Sequence, residues 1–306
     1  MKISKNIIIP IAAIVILGLY LIFNTTGKMN YRIPEFNSIE SGRIDSIQIK
    51  SENETVNLYS DNGIWKLNPD NLRAESSKIN EMLIFLENPQ FIDMVSDTKN
   101  YQNYGLEDNQ YIDIKALVKE NKNNNTVREL YLGDLNENKR FAFIRRPDNR
   151  SVFTVKENIK KLFDVTRNDL LDKKILDFDS TQINKIEVIS NNTKTTIDKS
   201  VDSDNKDIWK TDKGAELDSN AVGQSLRYLA NSRFESYSPV EEERGESNIF
   251  TINLYTDKTL NSFTITKKND SNYSAYSSYA GKDFILAENT ATQIIKMFGD
   301  IVDIKE

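Results

Sequence analysis

From Ile44 onward, apolar and polar residues alternate. In "IDSIQIK", Ile47 and Ile49 alternate with Ser46, Gln48 and Lys50, the two-residue period of a half-buried strand. Val56 and Leu58 repeat the pattern in "ETVNLYS". Asn62-Gly63 supplies a hairpin turn, and "IWKL" predicts a third strand carrying Trp65. The period then changes. In "ESSKINEMLIFLENP", Ile79, Met82, Leu83 and Leu86 fall at i, i+3, i+4 and i+7, which predicts one face of a helix stopped by Pro89. "QFIDMV" resumes as a strand, and the strand-like runs "YIDIKALV", "VRELYLG", "RFAFIRR" and "SVFTV" lead into a closing helix, "KENIKKLFDV".

The same order returns from Ile183. Ile186 and Val188 take the places of Ile47 and Ile49, and "TKTTIDKS" and "DIWKT" follow as second and third strands. "LDSNAVGQSLRYLANSR" predicts a helix with an apolar stripe of Val222, Leu226 and Leu229, capped by Asp218 or Ser219. "RFESY" places Phe234 where the first half has Phe91. Three more strand-like runs lead to "DFILAENTATQIIKMFGD", whose own strand enters its helix through Glu-Asn and closes on Phe298, as "VFTVKENIKKLF" closes on Phe163. The reading is α+β: two tandem repeats of antiparallel sheet with packed helices, residues 44–167 and 183–306. Residues 168–182 join them. Leu170, Leu171, Ile175, Leu176 and Phe178 predict a packed linker helix there. Trp65 and Trp209, at matching places in the two repeats, are expected as core anchors.

Ahead of the repeats, residues 7–23 form an uncharged apolar run after Lys2 and Lys5. Its length is at the short end of a membrane span and long for a signal-peptide core. An uncleaved transmembrane anchor behind a cytoplasmic n-region (residues 1–6) is favoured. A cleaved signal peptide with small residues at Thr25, Thr26 and Gly27 stays open. Either way the body is expected outside the cytoplasm. Residues 24–43 lack a period and read as a tether.

Composition narrows the chemistry. The chain has 306 residues, 28% charged, with a formal net charge of −6. That balance gives no basic face for nucleic acid, so no nucleic-acid partner is expected. Histidine and cysteine are both absent. Histidine-based nucleophile activation and His- or Cys-ligated metal are therefore impossible. Asp134, Asn136 and Asn138 alternate as calcium ligands do, but Lys139 and Arg145 stand where the EF-hand loop needs Gly and Glu. They predict a hairpin turn. Asp177, Asp179, Asp202, Asp204 and Asp207 read as solvated turns. No catalytic residue, metal or cofactor is expected. Tyr273, Tyr276 and Tyr279 are the candidate binding residues, an aromatic strip in which Tyr276 would face away from the other two.

Several short motifs carry a resemblance over nearly the whole chain: the apolar N-terminal run, "YRIP" (Tyr31–Pro34), "GIWKL" (Gly63–Leu67), "YGL" (Tyr104–Leu106), "YLGD" (Tyr131–Asp134) and "LLDKKILDF" (Leu170–Phe178). Together they resemble the bacterial membrane-anchored family called domain of unknown function (DUF) 4340. The resemblance implies a duplicated α+β ectodomain and, more loosely, work beside an ABC-type export or gliding-associated transport system. The functional expectation is a non-enzymatic subunit, single-pass in the cell membrane through residues 7–23. Its duplicated body would present two similar surfaces to an envelope or ABC-transporter partner. The alternatives are a carboxylate-dependent cell-wall glycan hydrolase and a solute- or glycan-binding module.

Overall fold

The computed structural model describes residues 14–20, 33, 36–120, 123–238, 248–267 and 273–302. Residues 14–20 form helix α1. The rest of the predicted span at 7–23 lies outside the described residues. Among the described residues, no helix is long and apolar enough to cross a membrane.

The body is α+β, with two nine-stranded antiparallel sheets. The first contains β1 (Ser46–Lys50), β2 (Thr55–Asp61), β3 (Ile64–Leu67), β4 (Leu72–Arg73), β5 (Asp93–Ser96), β6 (Ile112–Glu120), β7 (Asn123–Leu135), β8 (Phe141–Arg145) and β9 (Val152–Lys156). Its order is β4-β3-β2-β1-β6-β7-β8-β9-β5. Helix α2 (Ser76–Glu87) therefore carries the chain from one edge to the other, and β6 returns to the middle beside β1. Helix α3 (Glu157–Phe163) follows β9. The second sheet contains β10 (Lys185–Ser190), β11 (Thr193–Val201), β12 (Asp207–Thr211), β13 (Glu216–Leu217), β14 (Ser236–Tyr237), β15 (Asn248–Tyr255), β16 (Leu260–Lys267), β17 (Tyr273–Ser277) and β18 (Asp283–Leu286). Helix α4 (Ser219–Asn231) lies between β13 and β14, and α5 (Glu288–Val302) follows β18. The order β13-β12-β11-β10-β15-β16-β17-β18-β14 is the first order with nine added to every strand. The echo heard in the sequence is a repeated topology.

Packing divides the body into two compact units. One takes the described residues up to Ser60 together with Ser77–Thr166; the other takes Asp61–Ser76 with the described residues from Arg167 onward. In the second unit, one core joins Ile186, Val188, Ile252, Phe263 and Phe284 of the sheet to Val222, Leu226 and Leu229 of α4 and to Ile294 and Phe298 of α5. Trp209 belongs to it, and Trp65 is likewise buried. Asp218 caps α4 by accepting from the Asn220 amide at 2.8 Å.

Some expectations need correction. The stripe of α2 is Ile79, Met82, Phe85 and Leu86; Leu83 is only half-buried because the face turns toward Phe85, whose ring meets Phe163 at 5.7 Å. The predicted linker helix over 168–182 holds a single 3-10 turn, Asn168–Leu170. Beyond it the chain is irregular, with isolated bridges from Leu171 to Ala74 and from Lys174 to Arg233 and a turn at residues 179–182. Its apolar residues fit no single helical stripe, yet Leu170, Ile175 and Leu176 are buried as expected. The end of the predicted tether also packs. Phe36 meets Phe91 edge-on at 4.8 Å, and the Ile39 amide donates to the Glu87 carbonyl.

Candidate functional site

Strand register lets the two repeats be compared residue by residue. Ile47 faces Leu58 and Ala116; Ile186 faces Ile197 and Leu254. Ile144 faces Leu132 and Phe153; Ala275 faces Ile265 and Phe284. All these residues are buried and apolar. The alternate positions, on the face turned away from the core, do not match. Where the first sheet pairs Gln48 with Lys115, Lys115 with Glu129 and Tyr131 with Arg145, the second pairs Glu187 with Asn253, Asn253 with Ser262 and Thr264 with Tyr276. The repeats match at their core-facing positions and differ on their outer faces.

On the first sheet those outer positions form a ladder of charge and aromatic rings. Lys115 Nζ lies 3.3 Å from Asp113 Oδ2 and 3.1 Å from Glu129 Oε1. The Tyr131 hydroxyl donates to Glu129 Oε1 at 3.1 Å. Burial pushes the Asp113 carboxyl above its usual range, against the pull of Lys115. Burial would lower Lys115, but its bonds to Glu129 and Asp113 outweigh that and hold the ammonium above its usual value. Burial and the Glu129 acceptor also raise the Tyr131 hydroxyl. Both carboxylates are thus committed to one lysine, which makes an ion-pair ladder and not a free acid–base pair.

Next to the ladder the Arg145 guanidinium is stacked among tyrosines. It lies 4.4 Å from the Tyr101 ring centre and 4.5 Å from that of Tyr131, with Tyr111 at 5.7 Å. The Tyr111 and Tyr131 rings stack at 4.2 Å. Arg145 is nine-tenths buried, and its Nε has no hydrogen-bond partner among the described residues; Asp113 Oδ1 has none either. A cavity of about 220 Å³, lined in part by Tyr111 and Asp113, opens beside them.

The loop that supplies Tyr101 and Tyr104 is held by two of the short motifs. "YGL" packs on "YLGD": an added Cβ at Gly133 would lie 2.8 Å from Leu106 Cγ and closer still to the Tyr104 carbonyl oxygen. Gly105 has φ +62°, and an added Cβ there would lie 2.5 Å from Asp134 Cγ. Tyr104 also meets Phe143 edge-on at 4.8 Å. None of Arg145, Tyr101, Tyr111, Lys115, Asp113 or Glu129 stands out in the sequence, since each motif is short and the cluster is assembled across strands. The signal present was the polar alternate position of each strand.

The three candidate tyrosines do not form one strip. Tyr273 is buried in the second core, and Tyr276 lies on the opposite face of β17. Tyr279 lies past the end of the strand, and its hydroxyl donates to Asp172 Oδ2 at 2.6 Å under the Arg73 guanidinium, 4.7 Å from the ring. Asp172, in "LLDKKILDF", is buried, and its Oδ1 accepts from the Lys174 amide at 3.1 Å. Burial, then Asp172, raises the Tyr279 hydroxyl; the same two causes push Tyr237 to about 12. Tyr279→Phe should lower stability by about 1–2 kcal/mol, read as a reduced urea midpoint, because a buried carboxylate loses a donor.

The outer face of the second sheet has its own ion cluster. Glu187 is buried between Lys185 at 3.0 Å and Lys194 at 2.8 Å, and accepts from the Tyr255 hydroxyl at 2.7 Å. Burial works to raise its carboxyl, but bonds from Lys194, Tyr255 and Lys185 win and hold it at about 2. A depressed carboxylate stabilises the fold above its unfolded value and loses that contribution as pH falls through the folded one. Glu187→Gln should therefore cost about 1–3 kcal/mol at pH 7. The wild-type advantage should vanish between about pH 4.5 and pH 2, measured as urea midpoints of both proteins across that range.

Of the expected turn residues, Asp207 instead opens β12 and pairs with Lys199 at 2.6 Å, while Asn136, Asp179 and Asp202 do make turns. Asn136 Oδ1 accepts from the Arg140 and Phe141 amides, closing the β7–β8 hairpin. Asp202 Oδ1 accepts from the Asp204 and Lys206 amides, and Asp179 Oδ1 from Thr181. Among the described residues, no group of three acidic side chains is arranged to hold a metal ion. A profile of the family described as "Domain of unknown function (DUF4340)" matches residues 65–248, from Trp65 in β3 to the start of β15. No curated protein and no solved structure matches.

Proposed function

Because the chain belongs to the DUF4340 family, we propose its role from its own surfaces: a partner-binding subunit whose repeats present two different faces. The observation that carries this reading is the divergence of the outer positions over a matched core. A duplicated sheet kept for stability alone has no need of a buried Arg145 among tyrosines on one face and of Glu187 between lysines on the other. Charged and aromatic residues held rigidly on a sheet surface give a partner both orientation and desolvated anchors. In this reading the apolar run at 7–23 is a single-pass anchor, the body is extracytoplasmic, and the partner belongs to an envelope assembly such as an ABC-type export or gliding-associated complex.

The test places a photo-reactive amino acid at Gln48 on the first outer face, or at Asn253 on the second, in the full chain in cells. The two positions should capture different subunits of one membrane complex. Capture of the same protein by both, or of no envelope protein by either, would sink the proposal.

A further inference from the structure

In the first unit, a groove of about 690 Å³ is lined by residues that include Phe36, Arg43, Arg128, Arg146 and Asp148. Arg128 is nine-tenths buried. Its Nε donates to the Leu86 carbonyl at 3.0 Å, and its Nη2 to the carbonyls of Asn37 at 2.8 Å and Glu87 at 3.2 Å. Among the described residues no carboxylate pairs with it, and Nη1 has no hydrogen bond. Another cation, Arg146, lines the same groove. The Arg128 and Arg146 guanidiniums lie 4.8 Å and 5.4 Å from the centre of the same ring, Phe36. Burial first, and then the Arg146 charge, press Arg128 below its usual pKa. Arg146 is paired with Asp148, whose side chain is 61% exposed, and Arg43 with Glu120, 51% exposed. The Arg43 pair, exposed at both ends, is weak; Arg146 holds Asp148 through both Nε and Nη2, and that exposed carboxylate is the group an incoming oxyanion displaces. Glu40 and Glu129 also line the groove, Glu129 being held by Lys115.

We infer that this groove binds a phosphate-type anion between Arg128 and Arg146. A buried guanidinium without a carboxylate is costly, and a second guanidinium lining the same groove adds to the cost; an oxyanion bound to both relieves it. The free Arg128 Nη1 and the Arg146 guanidinium each offer N–H donors to the oxygens of a phosphate, and both guanidiniums are held against the Phe36 ring. Two sources share that chemistry: a soluble phosphate and a lipid headgroup.

The experiment uses the full chain in neutral detergent. Inorganic phosphate and short-chain dihexanoyl-phosphatidylglycerol are each titrated by calorimetry into wild type and Arg146→Gln. Saturable binding weakened about ten-fold or more by the substitution, with an unchanged melting temperature, is expected. Binding of the lipid but not of inorganic phosphate assigns the site to a headgroup; binding of inorganic phosphate assigns it to the anion itself. No saturable binding of either probe, or an affinity that Arg146→Gln leaves within about three-fold, overturns the inference.

Discussion

Gly133→Ala is expected to lower the stability of the first unit by at least about 3 kcal/mol, one methyl group on a 306-residue chain. Gly133 is buried at a shift of register in β7, between Leu132 and Leu135. Its missing side chain leaves the room into which the Tyr104 carbonyl and Leu106 settle. The obstacle is backbone, which cannot swing aside as a side-chain end would. The loop must lift, and with it go the Tyr104–Phe143 contact and the Tyr101 face of the Arg145 stack. Hydrogen exchange should show lost protection through β6, β7 and β8, while amides of β10, β15 and α4 keep theirs. Gly299 is the internal control. It lies in α5 with nothing within 4 Å of an added Cβ. Gly299→Ala should stabilise by about 0.5–1 kcal/mol, through helix propensity alone. Equal effects at the two glycines would refute the packing account.

How much of this was legible beforehand follows from where each signal is stored. The core face is written locally. Alternation around Ile47, Ile49, Ile186 and Val188 states which residues turn inward, and the Glu-Asn entries before Phe163 and Phe298 state where the closing helices begin; both agree with the structure. The repeat was visible for the same reason, since matched cores demand matched periods. The outer face is not written locally. Arg145 becomes notable only when Tyr101, Tyr111 and Tyr131 arrive from three other stretches of chain. The tyrosine triplet at 273–279 was legible in part. Alternation placed Tyr276 opposite Tyr273, as the structure has it, but did not show that Tyr273 enters the core or that the turn after β17 hands Tyr279 to Asp172. The linker failed as a helix because its apolar residues are covered by a non-helical chain tied through isolated bridges from Leu171 to Ala74 and from Lys174 to Arg233.

The duplicated surfaces also differ from the expectation. Similar sequence periods suggested two similar faces. The register shows that periods report the inward residues, while the outward ones are free to diverge: Tyr131 beside Arg145 in one repeat, Thr264 beside Tyr276 in the other. A duplicated scaffold can thus keep one folding solution and carry two recognition chemistries.

Arg128→Met is expected to cost about 3 kcal/mol, because it removes one donor group from three carbonyls at once. Leu86 and Glu87 are the last two residues of α2, where backbone carbonyls run out of helical partners and the helix dipole is negative. Arg128 answers both needs from β7, and its bond to the Asn37 carbonyl ties the entering chain to the same point. Methionine keeps much of the stem and its packing, so the loss measures the guanidinium and not a cavity. Arg128→Lys keeps the charge near the dipole but supplies no fork, and should recover less than half of the loss. Hydrogen exchange should locate the damage at the α2 C-terminus and at the Ile39 amide, which donates to Glu87. The glycans, lipids or proteins met by the groove do not enter this result, since the three carbonyls are internal to the unit. A Met variant with wild-type stability would show that the carbonyls find water as readily as arginine, and would remove Arg128 from the framework of the fold.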